Sequence, residues 1–377
     1  MNIIQITPTV ANPRFTFDRS IELSKYINVT WLLGWTVIDD TSLSRYVRTS
    51  HKIHKLGKSR TKGTKVLGLW NEFIFVLLCI KHIKNSRDAL IIVHSHHLAF
   101  PYPILCPRCN YVLQLYTTSV SPSAFKRSFH DAWRRIVIFP YDKVLIGTAK
   151  MIDMMKISKK KCFQTRWGMH PVSITDKSFE NNINLLYIGS LNGRRIHDTI
   201  QGLHLFLRKN PNAIVRYSII GKGSYETVDV LKQTISDCKL ENVVKMYGYL
   251  PDTEIRDFFD CHNIGISFVP ITQYYDDVVA TKTVEYLVSG LAVIATDTRE
   301  NRKMISDANG VLIDDTPQAF AEGMERIIGR FSSFASKEIR ESSNEWLLEN
   351  NVKNLIVPLY RRFASEFNEN INKGKTK

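Results

Sequence analysis

Apolar and polar positions alternate along the chain in a way that predicts strands and helices in strict succession. Short runs rich in β-branched residues read as buried strands at Asn2–Thr7, Val29–Gly34, Ala89–Val93, Tyr111–Tyr116 and Lys143–Gly147. Between them, Phe17–Ile27, Leu67–Ile83, Ser123–Phe139 and Met151–Ile157 carry helical spacing. Periodicity then lapses, and the pattern restarts with strands at Asn184–Ile188, Val215–Ile220, Val243–Tyr247, Ile264–Val269, Ala292–Ala295 and Gly310–Ile313. Helical stretches at His197–Lys209, Glu226–Cys238, Thr253–Phe259, Thr281–Ser289 and Gln318–Gly329 separate or follow these strands. Such alternation predicts an α/β chain built as two Rossmann-like, doubly wound parallel sheets. The expected division is residues 1–165, a linker over 166–184, a second domain over 185–350, and a helix and tail over 351–377. The last helix, Leu348–Phe367, places Leu355, Leu359 and Phe363 on one stripe, and Pro358 within it predicts a kink.

The second half is organised around NIGISFVPITQYYDDVVATKTVEYLVSGLAVIATDTREN, Asn263–Asn301, a strand, loop, helix and strand. Backbone N–H groups at a helix start favour anions, so Ala280, Thr281 and Thr283 are candidate phosphate binders and Lys282 adds a positive charge. Glu285, one turn further on, can accept two hydrogen bonds from neighbouring hydroxyls, and Asp277 lies eight positions before it. Gly290 stands where a helix ends with positive φ. Upstream, the strand Asn184–Ile188 runs into Gly189-Ser190-Leu191-Asn192-Gly193-Arg194-Arg195. Glycines allow close backbone approach, guanidinium groups hold phosphate oxygens bidentately, and two cations at a helix start call for an anion between them. Gly221 and Gly223 end the following strand and fit a loop near the same ligand. In the first half, His96 follows the strand Ala89–Val93, where parallel sheets present residues to a ligand; it is a candidate for acceptor binding or proton transfer, or else caps the strand end by hydrogen bonding.

This block resembles the donor-site signature of retaining GT-B glycosyltransferases of glycosyltransferase family 4, in its bacterial surface-polysaccharide variant. The signature is two acidic residues eight apart, then glutamate, an aromatic, a hydrophobic and a glycine turn; here it stands as Asp277…Glu285, with Lys282 and Tyr286 in their places. Asp277 replaces the usual glutamate and Ala280 a frequent proline. The resemblance implies that the two domains face a cleft and that the terminal helix crosses back to the first. It implies transfer of a sugar from a nucleotide-sugar donor, UDP- or GDP-linked, to a glycan or lipid-linked glycan acceptor, with retention, in cell-surface polysaccharide synthesis. Asp277, Glu285, Arg195 and Lys282 would form the catalytic set. Gly189, Ser190, Arg194, Gly221 and Gly223 would hold the donor, with Tyr249 and Leu250 reading the base. The family's arginine after the first glycine is Ser190 here, and the histidine that many members carry near the acceptor is Thr117. The chain lacks a D-x-D pair, so Arg194, Arg195 and Lys282 take the charge-neutralising role and neither metal nor other cofactor is expected.

Charge sharpens the picture. Residues 1–175 hold 26 Lys and Arg against nine Asp and Glu, whereas the remainder is nearly balanced. A basic half points to an anionic partner: a membrane surface, a phosphorylated acceptor or nucleic acid. The basic stretch Ser44–Lys65 reads as a surface loop. Ser123–Phe139 interleaves aromatic and cationic residues, which suits either core packing with a basic rim or attachment to an anionic membrane. The run Phe73–Ile80 is far short of the ~20 residues that span a bilayer. Cys106 and Cys109 form a lone C-x-x-C that reads as reduced structural thiols, which fits a cytoplasmic protein, peripheral at most. A GT-B-like sugar-nucleotide epimerase and a basic nucleic-acid-binding protein are the alternatives. The donor block argues against the first. No nucleic-acid module supports the second, so nucleic acid is not expected as a partner.

Overall fold

A computed structural model of the chain describes residues 1–10, 13–36, 46–47, 50–56, 65–115, 124–180 and 182–373. The chain divides into two units, Met1–Arg166 with Leu348–Lys377, and Trp167–Leu347.

The first unit contains β1 (Asn2–Val10), α1 (Pro13–Ser24), β2 (Asn28–Thr36), β3 (His51–Lys55), α2 (Lys65–Ile83) and β4 (Ala89–His94). It continues with α3 (Pro101–Leu105), β5 (Asn110–Leu115), α4 (Ala124–Ile138), β6 (Val144–Ile146), α5 (Lys150–Met155) and β7 (Cys162–Gln164). Its seven strands are parallel, in the order β3-β2-β1-β4-β5-β6-β7. Period-two alternation sorts the side chains into two cores. Leu90, Ile92, Val112 and Leu145 face one layer with Phe17 and Leu23 of α1. Ile91, Val93, Leu113 and Val144 face the other with Phe75, Val76 and Cys79 of α2 and Val137 and Ile138 of α4. The cysteines Cys106 and Cys109 are buried thiols of that second core.

Two stretches differ from expectation. Part of the basic loop Ser44–Lys65 is the edge strand β3: His51 is buried with its ring nitrogen 2.6 Å from Tyr46 O, while Lys52 and Lys55 take outward or rim positions. The alternation in HKIHK was masked by its charge, and lysine is the usual guard of an exposed edge. The stretch expected as a linker, 166–184, is tied to the second unit by side-chain hydrogen bonds. Val172 N–H donates to Ser289 Oγ at 2.9 Å, and Lys177 N–H to Ser336 Oγ at 2.8 Å.

The second unit runs β8 (Asn182–Ile188), α6 (Ile196–Lys209), β9 (Ile214–Ile220), α7 (Tyr225–Asp237), β10 (Val244–Gly248), α8 (Asp252–Cys261) and β11 (Ile264–Ser267). There follow α9 (Gln273–Asp276), α10 (Thr281–Val288), β12 (Ala292–Thr296), β13 (Gly310–Ile313), α11 (Pro317–Ile328) and α12 (Ser336–Ser342). Its six parallel strands are ordered β10-β9-β8-β11-β12-β13, so strand order reverses between β8 and β11. Ligands of open α/β sheets bind beyond the strand ends at such a reversal. Gly290 closes α10 with φ +78°, as its position predicts.

After Leu347 the chain rejoins the first unit through α13 (Leu348–Asn351), a π-helical turn over Val352–Ile356, and α14 (Val357–Asn372). Val352, Ile356, Tyr360 and Phe363 bury themselves in the α1 layer. The irregular turn lies just upstream of Pro358, whose ring nitrogen has no proton to donate to an α-helical ladder.

Tyr286 seats α10 on the sheet. The ring is fully buried, Ile188 N–H donates to its hydroxyl at 2.9 Å, and a Cβ on Gly265 would stand 2.3 Å from it. Gly265→Ala is therefore expected to destabilise the protein by about 1–3 kcal/mol through overpacking. Denaturant unfolding checks this, and unchanged stability would show that the β11–α10 contact has slack.

Candidate active site

Three loops meet at the carboxyl ends of β8, β9 and β10, and glycine lets them do so. A Cβ on Gly221 (φ +157°) would lie 1.8 Å from Gly189 O, a clash with backbone that no side-chain movement relieves. Gly189 N–H donates to Ile220 O at 3.0 Å, Leu191 N–H to Lys222 O at 2.8 Å, and Gly221 N–H to Gly248 O at 2.7 Å. Lys222 Nζ lies 4.2 Å from the ring centre of the exposed Tyr249, with the partly buried Leu250 beside it. The two expected base-reading residues and the Gly221–Gly223 loop thus fall side by side.

Across the reversal in strand order stands α10. Ala280, with extended backbone, caps it and accepts Thr283 N–H at 2.9 Å. Thr281 is partly buried at its first position. Lys282, the second residue, sends its ammonium back over β8: Nζ sits 3.8 Å from the Tyr187 ring centre, and 3.3 Å from where a Cβ on Gly189 would be. That Nζ is buried and has no hydrogen-bond partner. Burial pushes its pKa well below the ordinary lysine value, the nearby Arg194 charge pushes it further, and Glu285 opposes both. Arg194 stacks on Tyr275, its Cζ 4.4 Å from the ring centre, and donates to the Tyr275 hydroxyl. Tyr187 donates in turn to Ser190 O at 2.6 Å.

Lys282, Arg194 and Glu285 are therefore close together, with Gly189 and Ser190 beside them. Other expected residues have different company. Arg195, in a left-handed conformation (φ +53°), pairs with Asp198 at 2.6 Å and Asp315 at 3.2 Å. Asp277 is buried against Arg299 Nη1 at 2.9 Å. Thr283 turns inward: its hydroxyl lies 2.6 Å from Ser267 Oγ and donates to Asn301 Oδ1 at 3.1 Å, which anchors α10. Thr117 lies outside the described residues.

Sequence reasoning missed Tyr187, Tyr275, Arg299 and Asp315. Asp315 Oδ2 accepts Ile271 N–H at 3.0 Å as well as Arg195, and Arg299 N–H donates to Asp276 Oδ1 at 2.7 Å. These bonds hold the loop that carries Tyr275. Tyr187 sits inside a strand pattern and reads as core, so only the fold shows that a cation lies on it.

In the first unit, strand order reverses between β1 and β4, and His96 lies just past β4. His96 Nδ1 is 2.6 Å from Glu72 Oε1, which also accepts Leu98 N–H at 2.8 Å, while buried His96 Nε2 has no partner. Burial lowers the His96 pKa, with Glu72 opposing, so the ring is neutral near pH 7. Burial raises the Glu72 carboxyl, but its bonds from His96, His97 and the Leu98 N–H outweigh this and hold it well below the usual range. Among the described residues no group of three or more His, Cys, Asp or Glu is placed to hold a metal ion.

Residues 182–330 match the family model described as "Glycosyl transferases group 1". No curated protein sequence matches the chain. Solved structures share the whole fold at low identity. A glycosyltransferase from Rickettsia africae is 14% identical with a TM-score of 0.70, over 96% of this chain and 98% of that one. Sucrose-phosphate synthase from Thermosynechococcus elongatus is 15% identical with a TM-score of 0.72, over 97% of this chain and 100% of that one. HepE of Anabaena, solved with UDP and glucose, is 15% identical with a TM-score of 0.69, over 95% of this chain and 99% of that one. The chain is a glycosyltransferase of GT-B fold.

A buried, unpaired ammonium costs folding energy. The unfolded chain keeps a lysine protonated to about pH 10.4, whereas the folded chain releases the Lys282 proton at a lower pH. Between the two the unfolded state binds more protons, so this group makes stability rise with pH. Lys282→Met is expected to raise the Tm near neutral pH, and the gap should close as pH climbs through that window. Thermal unfolding by circular dichroism checks this; a Tm below wild type at every pH would mean that Lys282 supports the fold.

Proposed function

We propose that this glycosyltransferase moves a sugar from a UDP- or GDP-sugar to a glycan or lipid-linked glycan acceptor, with retention and without a metal, in cell-surface polysaccharide synthesis. It would act in the cytoplasm, at the inner face of the membrane. The observation that carries the reading is the buried, unpartnered Lys282 ammonium next to Arg194, at the strand reversal where open α/β sheets bind ligands. HepE, which shares the fold, is solved with UDP and with UDP-glucose, and a lipopolysaccharide outer core galactosyltransferase shares it too.

As the glycosidic bond breaks, charge develops on the leaving diphosphate, and preorganised cations stabilise it best where water is excluded. Lys282 and Arg194 are placed for this. Arg195, engaged by Asp198 and Asp315, sits in the same loop and supports it. Glu285 would accept hydrogen bonds from donor hydroxyls, and Asp277, fixed by Arg299, would hold the far end of the loop. Gly221, Gly223, Tyr249 and Leu250 would border the base; Ala280 and Thr281 would present the helix start to the phosphates, with Thr283 anchoring it from within. On the acceptor side, His96 held by Glu72 offers Nε2 as a hydrogen-bond acceptor for a sugar hydroxyl.

Glu285→Gln is expected to abolish transfer while Tm and UDP or GDP binding persist. Arg194→Ala or Lys282→Met should weaken nucleoside diphosphate binding at least ~10-fold, since a charge-assisted bond contributes ~1.5–3 kcal/mol, and more than Arg195→Ala does. His96→Ala should raise the acceptor KM alone, and EDTA should leave turnover intact. A thermal-shift panel of nucleotide sugars identifies the donor, because saturation at ~100 Kd adds ~2.7 kcal/mol. Normal turnover by Glu285→Gln, or undiminished diphosphate affinity in both cation variants, would remove this site assignment.

A further inference from the structure

The outer face of the α2–α3–α4 layer is apolar where a solvated helix layer should be polar. Helix α2 buries Phe75, Val76, Cys79 and Ile83 against the sheet, yet its opposite face exposes Leu69, Trp70, Phe73, Ile74 and Leu77. Between Lys65 and Lys81 the one side chain of an acidic or basic residue is Glu72, and it is turned inward to His96. A helix that is apolar all round belongs against a second apolar phase. Helix α3 adds exposed Ile104 and Leu105. Helix α4 adds Phe125, Phe129 and Ile136 at i, i+4 and i+11, with Phe139 one turn beyond, although its Val137 and Ile138 are already buried. Phe125 and Phe139 are 82% and 81% exposed, which leaves nearly the whole ring in water. All three helices pack on the same face of the first sheet, joined by the Phe100–Trp133 ring contact and by the Trp133 indole N–H bond to His97 O.

Cations flank the α4 end of this face, in a stretch of chain rich in them. Residues 65–161 contain 15 Lys and Arg against five Asp and Glu. Lys161 Nζ donates to Phe139 O at 3.4 Å and Tyr141 O at 2.9 Å, and Arg135 Nε to Met155 O at 3.2 Å, so positive charge stands at the foot of the exposed aromatics. Exposed Lys126 lies in the first turn of α4.

We propose that the outer faces of α2, α3 and α4 dock on an anionic phospholipid bilayer, with Trp70, Phe125, Phe129 and Phe139 entering the headgroup region. Charge decides the occupant. A second copy would bring the cations flanking two copies of α4 together, within reach of unscreened repulsion, whereas anionic lipid neutralises both these cations and the apolar demand. Nucleic acid would answer the charge but leave the aliphatic face of α2 wet. Attachment is peripheral: among the described residues no helix is long and apolar enough to cross a membrane. The proposal stands without the donor-site reading, since none of its residues lies in the second unit.

The test is co-sedimentation of the full chain with vesicles of phosphatidylglycerol and phosphatidylcholine in equal parts, and with phosphatidylcholine alone, without donor. Retention is expected on the anionic vesicles, reduced but not abolished between about 50 mM and about 500 mM salt, because the apolar part escapes screening. Each engaged cation contributes about fivefold in partitioning. Phe125→Ser with Phe129→Ser, both exposed and so neutral to folding, should weaken retention at least ~10-fold. Trp70 emission should shift to the blue on the anionic vesicles relative to Trp70→Phe. No retention at low salt, or retention indifferent to the double substitution, overturns the proposal. Light scattering that shows a lipid-free dimer dissolved by the same substitutions overturns it in favour of a second copy.

Discussion

A buried ammonium with no hydrogen-bond acceptor sets the terms for the second unit. Lys282 takes its place beside a Gly189 that has no side chain, under a β9 loop that Gly221 lets close over Gly189 O, and against the aromatic face of Tyr187 in place of an oxygen. Cation–π contact offsets part of the lost hydration, and Glu285 another part. Neither matches a direct ion pair, and Arg194 works against both. A fold that needed only stability would pair or delete this charge. Its retention, with a second cation held close by Tyr275, makes sense where an anion completes the site.

The scaffold around that charge is rigid for nearby reasons. Tyr286 locks α10 to β8 and against Gly265; Ser267, Thr283 and Asn301 form a buried hydroxyl–amide chain beneath its first turn. Arg299 and Asp315 hold the other side of the site, the segment around α9 that bears Tyr275, through Asp276, Asp277 and Ile271 N–H. Preorganisation of this kind is what electrostatic catalysis demands, because charges that need not reorient add no cost when the leaving group departs.

Much of this was legible in the sequence. Strand and helix alternation gave two parallel sheets, since a strand buried on both faces reads as a nearly continuous apolar run, and Ile264–Val269 and Ala292–Ala295 are such runs. Gly290, Pro358 and Gly189 announced their backbone roles. Partners across the fold were not legible. Arg195 and Arg194 are adjacent and chemically alike, yet one is taken by Asp198 and Asp315 and the other lies on Tyr275, and no local pattern separates them. Charge also hid structure: HKIHK is a strand whose lysines guard an edge, and the stretch after Arg166, polar and aperiodic, is fastened by side-chain bonds to α12 and Ser289. In α4 helical spacing fitted both core and surface. Exposure of Phe125 and Phe129 beside burial of Val137 shows that it serves both.

The central claim is that Lys282, its pKa lowered by burial, is held without a partner for a phosphate to complete the site. Isothermal titration calorimetry of UDP, near pH 8 and in buffers of different ionisation enthalpy, tests this most directly, because UDP itself no longer titrates there. The account predicts net uptake of a fraction of a proton up to about one per UDP, an affinity that falls as pH rises, and loss of both effects in Lys282→Met. Binding of UDP with no proton uptake, and with the same pH profile in wild type and Lys282→Met, would contradict it.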